Sequence, residues 1–172
     1  TAIGSTLYFR AADGTNGYEL WKSDGNSSGT VMVKDINPTS NNFGNSNPDY
    51  LTAIGSTLYF RATDGTNGQE LWKSDGTASG TVMVKDIRSG SSSSSPEDLT
   101  AVGNTLYFQA NDGTNGRELW KSDGTASGTV MVKDIRSGSS GSSPYDLTVV
   151  GNTLYFQAFD GTNGFELWAF FL

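Results

Sequence analysis

The chain has 172 residues, 11 basic and 18 acidic side chains, and a formal net charge of −7. It contains neither cysteine nor histidine, which excludes disulfides, Cys/His metal sites and Ser-His or Cys-His catalysis. The acidic balance argues against a nucleic-acid partner, and no apolar run approaches the roughly 18 residues that a membrane-spanning helix needs.

A segment of about 48 residues recurs along the whole chain, which we treat as a single repeat domain, 1–172. The copies align with periods of 51, 48 and 48 residues at Thr1, Thr52, Thr100 and Thr148. Glu70–Ser92 is identical to Glu118–Ser140 at every position. The copies therefore cover 1–51, 52–99, 100–147 and an incomplete 148–172.

Short apolar runs bounded by turn residues predict four β-strands in each copy. In the second copy these strands are Leu51–Ile54, Leu58–Ala62, Glu70–Lys73 and Thr81–Ile87. Gly-Ser, Asp-Gly and Asn-Gly pairs between them favour tight hairpin turns. Stretches rich in serine, glycine, asparagine and proline connect the copies: Asn37–Pro48, Arg88–Pro96 and Arg136–Pro144.

Both faces of these strands carry apolar side chains. Leu58 and Phe60 point to one side of the strand, and Tyr59 points to the other. A sheet that is apolar on both faces must be covered on both. We therefore predict an all-β fold, a β-propeller built of four-stranded antiparallel blades of about 48 residues, with three complete copies and one incomplete copy.

The chain resembles the bacterial ELWxxDGT repeat family in its motifs Glu19–Asn26, Glu70–Thr77 and Glu118–Thr125. The Leu-Tyr-Phe and Asp-Gly-Thr-Asn-Gly elements recur in register with them. The resemblance implies tandem arrays in large, secreted bacterial proteins, a propeller-like arrangement and no settled activity. The fourth copy departs from it because Trp168 is followed by Ala-Phe-Phe-Leu.

One tryptophan and one strand tyrosine occur in each copy, and they are candidate sugar-binding platforms. The alternative interpretation is that these rings pack between neighbouring sheets, as large aromatic residues commonly do. The candidates are Trp21, Trp72, Trp120, Trp168, Tyr8, Tyr59, Tyr107 and Tyr155.

The Asp-Gly-Thr-Asn-Gly loops and the glutamate after each supply oxygen ligands of the kind that calcium prefers. The alternative is that these residues serve only the turn, because Asp-Gly and Asn-Gly suit a hairpin on backbone grounds. Apart from calcium, we expect no cofactor. The candidate ligands are Asp13, Asn16, Glu19, Asp64, Asn67, Glu70, Asp112, Asn115, Glu118, Asp160, Asn163 and Glu166.

The strand lysines, such as Lys22 and Lys73, lie near glutamates and predict exposed cross-strand ion pairs. Nearly every carboxylate recurs in every copy, whereas an active site normally needs unlike groups at one place. The sequence therefore predicts a protein that is not an enzyme. The residues specific to one copy are Asn41-Asn42-Phe43, Tyr50, Glu97 and Tyr145.

The fourth copy ends in an uncharged apolar run and lacks its fourth strand, which predicts an assembly interface at Trp168, Phe170, Phe171 and Leu172. Two chains could complete one ring of about eight blades, chains could dock head to tail, or a four-bladed monomer could close on itself. We expect a homo-oligomer.

The sequence thus predicts a non-catalytic, extracellular bacterial module for self-assembly or surface interaction. The alternative is a multivalent glycan-binding lectin with one weak site per blade, assisted by calcium.

Overall fold

The computed structural model of the chain describes residues 1–38 and 44–172. Within them, one turn of 3-10 helix at Ser27–Gly29 accompanies fifteen β-strands. The copy-specific residues Asn41-Asn42-Phe43 lie outside the described part. No helix in the described residues is long and apolar enough to cross a membrane.

The strands form four separate antiparallel sheets, each ordered as the strands occur in the chain. Sheet 1 contains β1 (Ala2–Ile3), β2 (Thr6–Ala12), β3 (Tyr18–Ser23) and β4 (Val31–Lys34). Sheet 2 contains β5 (Asp49–Ile54), β6 (Thr57–Thr63), β7 (Gln69–Ser74) and β8 (Val82–Lys85). Sheet 3 contains β9 (Glu97–Val102), β10 (Thr105–Asn111), β11 (Arg117–Ser122) and β12 (Val130–Lys133). Sheet 4 contains β13 (Tyr145–Val150), β14 (Thr153–Phe159) and β15 (Phe165–Phe171).

The predicted all-β architecture of antiparallel sheets is confirmed. The first hairpin of sheet 2 has the expected two-residue loop, in which Gly55 adopts a φ of 58°. The fourth strand, predicted as Thr81–Ile87, is shorter. It ends at Lys85 because the backbone N–H of Ile87, two residues further on, donates to the Glu70 carboxylate and not to a neighbouring strand.

Each sheet has two different apolar faces. In sheet 2, the Trp face carries Leu58, Phe60, Ala62 and Trp72, and the opposite Tyr face carries Tyr59, Leu71, Val84 and Ile87. The period-two alternation of strand side chains and the Phe60–Trp72 cross-strand pairing produce this division.

The Tyr face of each sheet packs against the Trp face of the next. Tyr8 and Leu20 of sheet 1 cluster with Phe60 and Trp72 of sheet 2. The Tyr face of sheet 2 clusters in the same way with Leu106, Phe108, Ala110 and Trp120 of sheet 3. The Tyr face of sheet 3 covers Leu154, Phe156 and Ala158 of sheet 4. One type of contact therefore builds the whole core.

The stack of sheets is open at both ends. Leu7 on the Trp face of sheet 1 is 49% exposed, and Leu167 on the Tyr face of sheet 4 is 73% exposed. Within residues 1–38 and 44–172 these two end faces do not cover each other, so the described sheets form an open stack and not a closed four-bladed ring.

Candidate interaction surfaces

A buried glutamate in each of sheets 1 to 3 fastens the connector that leads to the next sheet. The Glu70 side chain has no exposed surface. One carboxylate oxygen accepts hydrogen bonds from the Ile87 N–H at 2.9 Å and the Ser94 hydroxyl at 2.5 Å, and the other accepts the Ser94 N–H at 2.8 Å. The carboxylate thus ties β7 to both ends of the connector.

Burial has the largest effect on the pKa of the Glu70 carboxyl group. It raises the pKa of Glu70 to about 7, although the hydrogen bonds from Ser94 and Ile87 act in the opposite direction. Burial also raises the pKa of Glu19 and Glu118, which bind Ser46 and Ser142 in the same way. Glu166 of sheet 4 is exposed, and its carboxylate makes no hydrogen bond within the described residues.

The residues predicted to bind calcium come together in part: the aspartate and asparagine of each loop are in contact, whereas the glutamates of sheets 1 to 3 bind connector serines. In the loop of sheet 2, Asp64 accepts the backbone N–H groups of Thr66 and Asn67 at 2.8 Å and the Asn67 side-chain amide at 2.7 Å. Glu70 is occupied at the connector instead. The loops of the other sheets repeat this pairing in Asp13 with Asn16, Asp112 with Asn115, and Asp160 with Asn163.

These aspartates act as acceptors that hold their own turns. The backbone N–H of Asn16 holds the pKa of Asp13 below its ordinary value, and the N–H of Asn163 does the same for Asp160. Among the described residues, no three acidic side chains come together in a way that would hold a metal ion.

Most of the candidate sugar-binding rings lie between sheets. Trp72 and Trp120 are each 6% exposed, and Tyr8, Tyr59 and Tyr107 are also buried. A sugar cannot stack on these rings in the folded chain. The glycan hypothesis therefore rests on the three half-buried rings, Trp21, Trp168 and Tyr155.

The strand lysines of sheets 1 and 2 donate hydrogen bonds to the next sheet instead of forming the predicted ion pairs. Lys22 donates to the Gly76 carbonyl oxygen at 2.8 Å, and Lys34 donates to the Thr81 carbonyl oxygen at 2.8 Å. Lys73 and Lys85 repeat both contacts from sheet 2 to sheet 3. The ion pairs of the described residues involve arginine: Arg61 with Asp49, and Arg61 and Arg117 with Glu97.

The Ser-Asp-Gly turn of sheet 2 is a second contact point with sheet 1. Asp75 holds the turn by accepting the Thr77 N–H at 2.8 Å and the Thr77 hydroxyl at 2.7 Å. Gly76 has a φ of +87°, and the Tyr8 hydroxyl lies directly where a side chain would project from it. The Tyr8 hydroxyl thus occupies the position that a Cβ atom on residue 76 would take.

We expect Gly76→Ala to lower the free energy of unfolding more than Gly25→Ala does. Both glycines have positive φ, but a Cβ on Gly25 meets nothing within 4 Å, whereas one on Gly76 overlaps the Tyr8 hydroxyl. Gly25→Ala therefore carries only the backbone strain, about 1 kcal/mol. Gly76→Ala should cost a further 1 to 3 kcal/mol, roughly, from overpacking. Urea unfolding of both variants measures the difference; equal losses would contradict the Tyr8 contact.

The apolar end of the chain is divided between the two faces of sheet 4. Phe170 lies 6.0 Å from the Tyr107 ring, and Trp168 and Leu172 join it against the Tyr face of sheet 3. Phe171 points to the opposite side and is 77% exposed. Of the four residues predicted to form an assembly interface, Phe171 is thus the one left largely exposed.

The two end faces of the stack carry exposed apolar side chains, among them Leu7 on sheet 1 and Val150, Leu167 and Phe171 on sheet 4. The end Trp face consists of Leu7, Phe9, Ala11 and Trp21 of sheet 1. The end Tyr face consists of Val150, Tyr155, Leu167 and Phe171 of sheet 4. Exposed apolar patches of this kind mark interaction sites.

The first strands of sheets 2 to 4 line a cavity of about 500 Å³. Tyr50, Asp98 and Asp146 border it, all three with positive φ. Burial raises the pKa of Asp98, and the neighbouring Glu97 and Asp146 carboxylates add to this effect. Sequence reasoning identifies Tyr50 as copy-specific but misses both aspartates. Their shared position directly before Leu-Thr, in Asp98-Leu99-Thr100 and Asp146-Leu147-Thr148, was the available signal.

No protein-family model and no curated protein matches the chain, so membership of the ELWxxDGT repeat family stays a prediction. The chain is similar to the computationally designed protein Ika8, with 19% sequence identity and a TM-score of 0.48 over 98% of this chain and 44% of that chain. It is also similar to a chain from a structural and mechanistic analysis of two prolyl endopeptidases, with 14% identity and a TM-score of 0.54 over 96% of this chain and 25% of that chain.

The chain thus spans less than half the length of either solved chain. At such low identity, the second likeness shows a shared all-β arrangement of repeated sheets and nothing about activity.

Proposed function

We propose that the chain is a non-catalytic, extracellular module that assembles with copies of itself, the end Tyr face of one chain packing on the end Trp face of the next. The observation that carries this proposal is the repeated contact within the chain. Each internal Tyr face is covered by a Trp face, and one face of each kind is left over.

The two end faces are different surfaces, so the contact between chains is heterologous. Such a contact closes into a ring when the rotation between units allows it and otherwise grows into a filament. A propeller, in which sheets surround a shared axis, is the closed form that we propose for the assembly.

The non-catalytic part of the proposal is supported by how the acidic residues are used. Glu19, Glu70 and Glu118 are buried acceptors for connector N–H groups, and the loop aspartates accept hydrogen bonds within their own turns. These carboxylates hold the repeat together. The extracellular location is proposed from the resemblance of the motifs Glu19–Asn26, Glu70–Thr77 and Glu118–Thr125 to those of the ELWxxDGT repeat family.

We expect the mass of the particle in solution to rise with protein concentration above the 18.3 kDa of one chain. The double variant Leu167→Asp/Phe171→Asp should remain at that mass, because assembly would bury unpaired carboxylates in an apolar contact. Light scattering coupled to size-exclusion chromatography measures both.

The matched control is Ala78→Asp/Ala126→Asp, which adds the same charge on exposed turns away from the end faces. It should assemble like the unmodified chain. A monomeric unmodified chain at every concentration, or equal assembly of both double variants, would overturn the proposal.

A further inference from the structure

We propose that the outer edge of sheet 4 accepts, as a fourth strand, an extended Thr-Val-Met-Val-Lys segment that a partner chain leaves unpaired. In the present chain these segments are already paired as β4, β8 and β12, so folded copies do not use this edge on each other. This site is the backbone edge of β15 and is separate from the two end faces. β15 pairs with β14 on one side, and the described residues place no strand on its other side.

Sheets 1 to 3 specify the occupant. In each of them the strand at this position is Val-Met-Val-Lys: β4, β8 and β12. In sheet 2 the register pairs Trp72 with Met83 and Lys73 with Val82. The same register on sheet 4 places a methionine opposite Trp168 and a valine opposite Ala169.

Sheet 4 does not make this strand from its own hairpin at the usual point. β3, β7 and β11 end at a serine that opens the Ser-Asp-Gly turn. β15 instead continues straight through Ala169 and Phe170 to Phe171. The edge that the hairpin would cover therefore stays open along Leu167, Trp168 and Ala169.

Three groups around this edge lack the partner that their counterparts have. The first is the apolar pair Val132 and Ile135, which are half-buried, whereas Val84 and Ile87 at the same positions of sheet 2 are buried. Met131 of β12 joins the cluster that covers Val84 and Ile87. A methionine on an added strand would cover Val132 and Ile135 in the same way.

The second group is the Lys133 ammonium. Lys34 and Lys85 each donate to the carbonyl oxygen of the threonine that precedes the fourth strand of the next sheet, at 2.8 Å. Lys133 is exposed and lies over the Trp168 ring at 5.3 Å. The threonine carbonyl of an incoming Thr-Val-Met-Val-Lys segment would occupy the position that this lysine reaches.

The third group is the Glu166 carboxylate. Glu70 and Glu118 accept the backbone N–H of the isoleucine two residues beyond the fourth strand, at 2.9 and 3.0 Å. Glu166 is exposed and has no such donor in the described chain. An added segment extended by Asp-Ile would supply it. The open edge of β15, the apolar pair, the lysine and the glutamate thus all fit the same ligand. A segment bound in this way extends the sheet by β-strand addition.

The test is titration of the unmodified chain with the synthetic peptide Gly-Thr-Val-Met-Val-Lys-Asp-Ile, the sequence of residues 128–135. We expect saturable 1:1 binding by calorimetry and slower amide exchange in β15. A peptide with proline in place of methionine should bind at least about tenfold more weakly, because proline cannot donate to the ladder and disrupts a strand.

Glu166→Ala should weaken binding about tenfold, the effect of losing one hydrogen bond to a charged group. Leu7→Asp, which blocks an end face, should leave peptide binding unchanged, so the outcome is independent of the proposed self-assembly. The proposal would be overturned if the peptide did not bind saturably or if the proline peptide bound equally well. It would also be overturned if amide exchange slowed in sheet 1 instead of in β15.

Discussion

Glu70→Ala is expected to lower the free energy of unfolding by about 2 to 4 kcal/mol. The substitution leaves the N–H groups of Ile87 and Ser94 buried without an acceptor and releases the connector between sheets 2 and 3. Burying the carboxyl group is itself unfavourable, as its raised pKa indicates, and removing it offsets part of the loss. Urea unfolding followed by tryptophan fluorescence gives the difference.

Glu166→Ala is the matched control, because Glu166 occupies the same repeat position in sheet 4 but is exposed. Its effect should stay within about 0.5 kcal/mol. If Glu70→Ala and Glu166→Ala lower the free energy of unfolding equally, the contact between Glu70 and the connector does not stabilise the fold.

Two end-face variants that are each monomeric are expected to form a dimer when they are mixed. Leu7→Asp blocks the end Trp face and leaves the end Tyr face free, whereas Leu167→Asp/Phe171→Asp does the reverse. One productive contact then remains possible, between the free faces of unlike variants. Light scattering of the equimolar mixture should give twice the 18.3 kDa of one chain.

The mixture also distinguishes between kinds of contact. If like faces paired with each other, Leu7→Asp alone would dimerise through its free Tyr face, and mixing would add nothing. Growth of the mixture beyond a dimer would show a contact outside the two faces. Either result contradicts the head-to-tail arrangement.

The strands and turns follow closely from the sequence because they depend on local signals. Alternation of apolar residues around Tyr59 predicts β6, and Gly55 marks the hairpin before it. The two-faced pattern also predicts that neighbouring sheets must cover each other. These features need only residues that are close in the chain.

The roles of the polar residues were harder to predict because they depend on contacts between sheets. Lys22 closely follows Glu19 in the sequence of its own repeat but donates to Gly76, 54 residues away. Glu70 follows a loop rich in oxygen ligands but faces Ser94 of the connector. A sequence pattern within one repeat does not specify whether a long side chain contacts a group in its own sheet or a group in the next sheet.

The sameness of the contact between successive sheets has a consequence for how such a chain can change in length. Because sheets 2 and 3 present equivalent surfaces to their neighbours, excising or duplicating one whole unit joins surfaces that already fit. Recombination between the coding regions of the identical segments Glu70–Ser92 and Glu118–Ser140 would produce such variants in a single event. The chain can thus gain or lose whole sheets without requiring a new kind of contact between sheets.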